Sequence, residues 1–202
     1  RAVVGAREHY ELGREAARKS IVLLKNDGDL LPLKKAGQRI ALIGPFADDL
    51  DNVFGPWTIW GDASRRVATD VGLRDAMEDP NLLTVVRGCE PENAVAGGIE
   101  AAVAAALAAD VVVLAIGETQ RMTGEAQSRT DIIVPAPQQA LAEAIAATGR
   151  PVVVLLKTGR ALALSGAVRN AQAILVTWFL GSESGNAVAD IVFGDHGPSA
   201  RL

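Results

Sequence analysis

One cysteine, Cys89, excludes any internal disulfide, so the fold must rest on an apolar core. The 202 residues leave room for one core of good size or two small ones. No run of basic residues occurs and the formal net charge is −4, which makes nucleic acid and anionic membrane poor partners. No apolar stretch is long enough to span a bilayer either, because the longest, around Ile99 to Ile116, is broken by Glu100 and Asp110. The sequence opens Arg1-Ala2-Val3-Val4-Gly5 without Met or a signal-peptide pattern and stops at Arg201-Leu202. Both ends suggest a piece of something longer.

Several chemistries are missing as well. No Gly-x-Gly-x-x-Gly follows a strand and no Gly-x-x-x-x-Gly-Lys-Ser/Thr occurs, which disfavours a nucleotide cofactor. Gly181-Ser182-Glu183-Ser184-Gly185 has the spacing of a nucleophile elbow, but glutamate stands where the serine should be. The two histidines, His9 and His196, lie near opposite ends with no ligand spacing, which argues against a zinc site.

What is present is an alternation. Leu12, Ala16, Ala17, Ile21 and Leu24 fall at helical spacing and predict a helix from Glu8 to Lys25, ended by Asn26-Asp27-Gly28. Leu30-Leu31-Pro32-Leu33 follows as an extended connection. Beyond it, strands are predicted at Ile40–Ile43, Leu82–Val86, Val111–Ile116, Val152–Leu156 and Ile174–Thr177. Helices are predicted at Gly72–Glu78, Ile99–Ala109, Gln138–Ala147 and Ala187–Phe193. Uninterrupted apolar strands separated by helices imply an α/β three-layer sandwich, with a mostly parallel sheet covered by helices on both faces. One structural domain is expected: residues 1–38 as a helix and connection packing on an α/β sandwich of residues 39–202.

Ligands of such sheets bind beyond the carboxyl ends of the strands. Three loops lie there: one with Gly55-Pro56-Trp57, one with Glu118 and Glu125, and one from Gly181 to Gly185. The second is unusually long, and long loops in compact domains are often functional. A glutamate that is desolvated, or set beside another carboxylate, keeps its proton near neutral pH and can act as a general acid. On residue type alone, however, a loop glutamate is most often a solvated surface group. Trp57 can be read as core or as a face for stacking on a sugar ring.

The order of particular motifs narrows this. Ala17-Arg18-Lys19-Ser20-Ile21-Val22-Leu23-Leu24-Lys25-Asn26-Asp27 with Leu31-Pro32-Leu33, then Ile40-Ala41-Leu42-Ile43-Gly44-Pro45, resembles the start of the second domain of family 3 glycoside hydrolases of the β-glucosidase type. Gly124-Glu125-Ala126-Gln127-Ser128-Arg129 is similar to the family's acid/base loop. Gly159-Arg160-Ala161-Leu162, Trp178 to Ala187, Phe193-Gly194-Asp195 and Pro198 to Leu202 follow in the family's order. Ser184 and Ala200 stand where the family usually has glycine, and Lys157-Thr158 replaces a more typical pair ending in Asn before Gly159.

The resemblance implies a domain that packs beside a barrel, in an enzyme that cleaves β-glucosides or short β-gluco-oligosaccharides with retention and without metal or organic cofactor. It implies Glu125 as general acid/base, a nucleophilic aspartate on the barrel outside this chain, and a leaving-group-side tryptophan near Trp57. Glu118 and Arg129 are then expected to support the loop, and Trp60, Trp178 and Cys89 to be less involved. A periplasmic or extracellular setting fits the resemblance, and cytoplasmic members exist. Detached from the barrel, the chain is expected to show a large apolar patch or to self-associate. Two rival classes remain: a non-catalytic carbohydrate-binding or structural module of a glycosidase, and a free-standing flavodoxin-like binding domain.

Overall fold

A computed structural model describes residue 3 and residues 5–202. The first helix, α1 (Arg7–Ser20), stops short of the Lys25 expected from its apolar spacing. Ile21 is extended, and Val22–Asn26 forms a strand, β1. The reason lies in Ile21 and Val22: consecutive β-branched side chains lose rotamer freedom in a helix and pack well in a sheet. Ile21 is fully buried, while Leu24 falls where the strand ladder slips between Leu23 and Lys25 and is left exposed. Its fit to the helical stripe is coincidental.

The remaining elements are β2 (Ile40–Ile43), α2 (Thr69–Ala76), β3 (Leu83–Val86), α3 (Gly98–Ala108), β4 (Val111–Gly117), α4 (Ala136–Ala146), β5 (Val152–Lys157), α5 (Gly166–Asn170), β6 (Ala173–Val176) and α6 (Ser184–Val192). They form one six-stranded sheet in the order β1-β6-β5-β4-β2-β3. Only β1 runs antiparallel, along β6; every other pair is parallel. The α/β sandwich expected from the sequence is the fold observed, with the edge strand β1 and the short helix α5 added to it.

Strand β4 shows why both faces need cover. Val111, Val113 and Ala115 point into one apolar cluster with Leu42, Ala17, Leu73 and Ala187, beneath α1, α2 and α6. Val112, Leu114 and Ile116 point into the other with Ala102, Leu141, Ile145 and Val168, beneath α3, α4 and α5. Successive side chains alternate between faces, so a strand apolar at every position can be buried only between two helical layers.

Two glycines set how closely α2 and α6 approach. A β-carbon on Gly72 would overlap the carbonyl of Gly185, and one on Gly185 would overlap that of Ala68. Gly72→Ala is therefore expected to destabilise the chain by about 1–3 kcal/mol through overpacking. Gly13→Ala, at an exposed helical site with open space around it, is expected to stabilise by about 0.5–1 kcal/mol. Urea unfolding of both variants checks the pair. A neutral Gly72→Ala would contradict the tight α2–α6 contact.

Candidate functional site

Strand β2 lies between β3 and β4, so successive connections leave it in opposite directions. In open parallel sheets this switch opens a crevice beyond the strand ends, here past Ile43 and Gly117. Gly117 has φ 135°, and a β-carbon there would overlap the Lys157 carbonyl, so only glycine permits β4 to leave the sheet this way. The fully buried Gln138 secures the departure. Its side-chain oxygen accepts from Gly117 N–H at 2.7 Å, and its amide donates to the carbonyls of Gly117 at 2.9 Å and Pro91 at 2.7 Å.

Glu118 follows immediately and has no exposure to solvent. A buried carboxylate is tolerated only where cations and donors meet it. Its Oε2 accepts from Thr158 Oγ1 at 2.8 Å and from Arg160 Nε at 3.3 Å. Its Oε1 has no hydrogen bond and lies 3.6 Å from Arg129 Nη1. Arg160 also donates through Nη2 to the carbonyl of Met122 and, at 3.0 Å, to that of Gln127. Thr158 and Arg160 come from the turn after β5, so that turn and the loop after β4 close over one charge.

A second buried pair holds the loop after β2. Lys157 Nζ donates to Asp49 Oδ2 at 3.1 Å and sits 5.3 Å from the centre of the Phe46 ring. Burial pushes the Lys157 ammonium below the usual lysine range, with Asp49 acting in the opposite sense. Asp49 also accepts from the backbone N–H of Asp51 and Asn52, both at 3.2 Å, and from Asn52 Nδ2 at 2.8 Å. Asn52 Oδ1 in turn accepts from Gln120 N–H at 2.9 Å. The loops carrying Trp57 and Glu125 are thereby joined.

Glu125 is exposed, between Gly124 at φ 102° and Ala126 at φ 59°. It shares an open depression of about 470 Å³ with Trp57, Gln120, Arg121 and Gln127. Trp57 is 69% exposed, so the core reading of this residue does not hold. The structure thus brings Glu125 and Trp57 to one surface and sets Glu118 with Arg129 beneath it. Trp60 stands in solvent at 92% exposure, outside the residues lining that depression. Trp178 is partly buried against the core and donates from Nε1 to the Ser20 carbonyl at 2.9 Å. Cys89 is buried, which pushes its thiol up to about 11. Among the described residues no three His, Cys, Asp or Glu side chains cluster as a metal site requires.

Residues Arg160, Thr158, Gln138 and the Lys157–Asp49 pair were not singled out by sequence pattern as parts of the site. Two signals were available: Gly159-Arg160 opens one of the ordered motifs, and Lys157-Thr158-Gly159-Arg160 places two basic groups at a strand's carboxyl end.

Residues 21–202 match the family model described as the glycosyl hydrolase family 3 C-terminal domain. The chain is 42% identical over 217 residues to a periplasmic beta-glucosidase of Salmonella typhimurium, an alignment that covers 98% of this chain and 28% of that protein. It is 36% identical over 203 residues to a beta-xylosidase of Formosa agariphila, again covering 98% of this chain and 28% of the other. Among solved structures, the beta-glucosidase from Listeria innocua in complex with isofagomine superposes with a TM-score of 0.89 at 35% identity, over 96% of this chain and 26% of that one. The chain therefore spans about a quarter of the length of these relatives.

The buried pair yields an ordered expectation for stability. Asp49→Ala leaves Lys157 buried without an anion and is expected to cost about 3–5 kcal/mol. Lys157→Met is expected to cost less, because Asp49 keeps its three N–H donors. Between the lowered folded-state value of Lys157 and its ordinary one, the unfolded chain holds a proton that the folded chain has released. The lysine's contribution to stability therefore rises with pH across that window and is smallest below it. Urea unfolding across a series of pH values below the ordinary lysine range, for wild type and Lys157→Met, reads both effects. A larger cost for Lys157→Met than for Asp49→Ala would overturn the assignment.

Proposed function

The chain belongs to family 3 of the glycoside hydrolases, as a C-terminal domain of that family, and from this we propose that it supplies the general acid/base and part of the leaving-group subsite of a retaining, exo-acting β-glucosidase. Glu125 is the acid/base, and Trp57 binds the leaving-group sugar. The observation that carries this reading is their convergence: two strand-end loops, joined through Asn52 and Gln120, present a carboxylate and an indole to one open depression. Glu118 and Arg129 hold the loop from below.

Retaining hydrolysis uses two carboxyl groups about 5–5.5 Å apart. The nucleophile comes from a barrel domain outside this chain and attacks the anomeric carbon. As that bond forms, Glu125 gives its proton to the departing glycosidic oxygen. In the second step the Glu125 carboxylate takes a proton from water, and the water displaces the enzyme's carboxylate from the sugar. Carboxyl groups suffice for both steps, with no metal or organic cofactor. The exposure of Ile59 at 86% and Trp60 at 92%, beside Trp57, supports the idea that a further domain covers this edge. Removed from that domain, the chain would self-associate there. The relative of Salmonella typhimurium is named as periplasmic, which supports an exported enzyme. Preference for glucose over xylose rests on the same likeness and on the Listeria innocua structure.

In the intact enzyme, Glu125→Ala is expected to lower kcat/KM on cellobiose by about 10²–10⁴-fold, the usual worth of a positioned proton donor. Glycosylation of the enzyme by dinitrophenyl glucosides, whose leaving group needs no proton, should change far less. Wild-type rates on cellobiose would sink the assignment. Trp57→Ala is expected to weaken binding of oligosaccharides about tenfold and of small aryl glucosides less, as the loss of one stacked ring implies. Equal effects on both substrate types would remove Trp57 from the leaving-group side. The chain without its barrel is expected to hydrolyse neither.

A further inference from the structure

We propose that Arg160 is a positioning residue for the acid/base, the tie that fixes the height and direction of Glu125. The inference rests on the reading of Glu125 above. One guanidinium reaches both ends of the segment that carries the glutamate: Nη2 donates to the carbonyl of Met122 before it and to that of Gln127 after it. The third contact, from Nε to the buried Glu118, orients the guanidinium plane. Arg160 N–H donates to Thr158 Oγ1 at 3.2 Å, which fixes the turn from which the side chain extends.

Within the clamped segment the chain has little internal support. Gln127 N–H bonds the Gly124 carbonyl at 3.3 Å, and Gly124 and Ala126 both hold positive φ. A non-glycine residue such as Ala126 stays in that region only when its surroundings impose it. Arg160 imposes it by closing Met122–Gln127 into a loop with Glu125 near its tip. Lysine replaces this only in part, since one ammonium lacks the planar fork that serves two carbonyls and a carboxylate together. Arg160 itself lines neither the depression shared by Glu125 and Trp57 nor the neighbouring cleft around Thr119 and Arg129, so it acts through the loop and not on the sugar.

The test compares Arg160→Ala, Arg160→Lys and Glu125→Ala in the intact enzyme on two substrates, cellobiose and a dinitrophenyl glucoside. A displaced acid should lower kcat on cellobiose by roughly 100-fold, toward the lower end of the range for losing a proton donor. It should change the rate of glycosylation by the dinitrophenyl glucoside by no more than a few-fold. Arg160→Lys should show the same asymmetry at smaller size. Added guanidinium, at concentrations well below those that unfold the protein, should restore part of the cellobiose rate to Arg160→Ala, and ammonium should not. If Arg160→Ala does not fold, the Arg160→Lys asymmetry carries the test. Equal losses on both substrates in the arginine variants, with the asymmetry intact in Glu125→Ala, would overturn the role of Arg160 and leave that of Glu125 standing. Absence of asymmetry in Glu125→Ala would remove the acid/base reading, and the inference with it.

Discussion

A carboxylate without access to water, Glu118, is the group around which the loops of this domain are arranged. Left alone in an apolar interior, its charge would cost several kcal/mol or more. Three side chains from two connections meet it: Thr158 and Arg160 after β5, and Arg129 from its own loop. Because Arg160 continues from Glu118 to the Met122 and Gln127 carbonyls, the compensation of a buried charge also shapes the segment that bears Glu125. One glutamate is buried and paired with cations, and the other stands exposed in the segment those contacts tie down.

The sheet makes this possible. At the switch between β2 and β4 the backbone turns away, and Gly117 and Gln138 dispose of the polar groups this frees. Lys157 lies one residue before Thr158 and faces Asp49, so the end of β5 serves two loops through adjacent residues. Neither loop is expected to rearrange without disturbing the other, since Asn52 and Gln120 join them directly. An edge cross-linked in this way suits the proposed proton donor, which must be held in place against its substrate.

Much of the fold was legible because strands buried on both faces have a blunt signature. Val111 to Ile116 is apolar at every position, and only a parallel sheet under two helical layers accommodates that. Strand β1 was not legible: Ile21 and Leu24 fall in phase with the preceding helix, and only the β-branched pair Ile21-Val22 argued otherwise. At the candidate site, the strand-end rule together with the Gly124-Glu125-Ala126 motif pointed to two loops that meet at one depression. The contacts that hold them have no local period to read. Lys157 and Asp49 are 108 residues apart and Arg160 and Glu118 are 42 apart, and such pairs become visible only once the chain is folded.

The central claim is that Glu125, and not Glu118, exchanges the proton with the glycosidic oxygen. It is tested most directly by adding azide to the glutamate variants of the intact enzyme during turnover of a dinitrophenyl glucoside, and determining the product by NMR. A glycosyl-enzyme without its general base should wait for a small anion that needs none. Glu125→Ala is expected to accelerate with azide and release β-glucosyl azide, while Glu118→Ala is expected to lose stability and give no azide product. Azide product from Glu118→Ala, with Glu125→Ala unresponsive, would contradict the account.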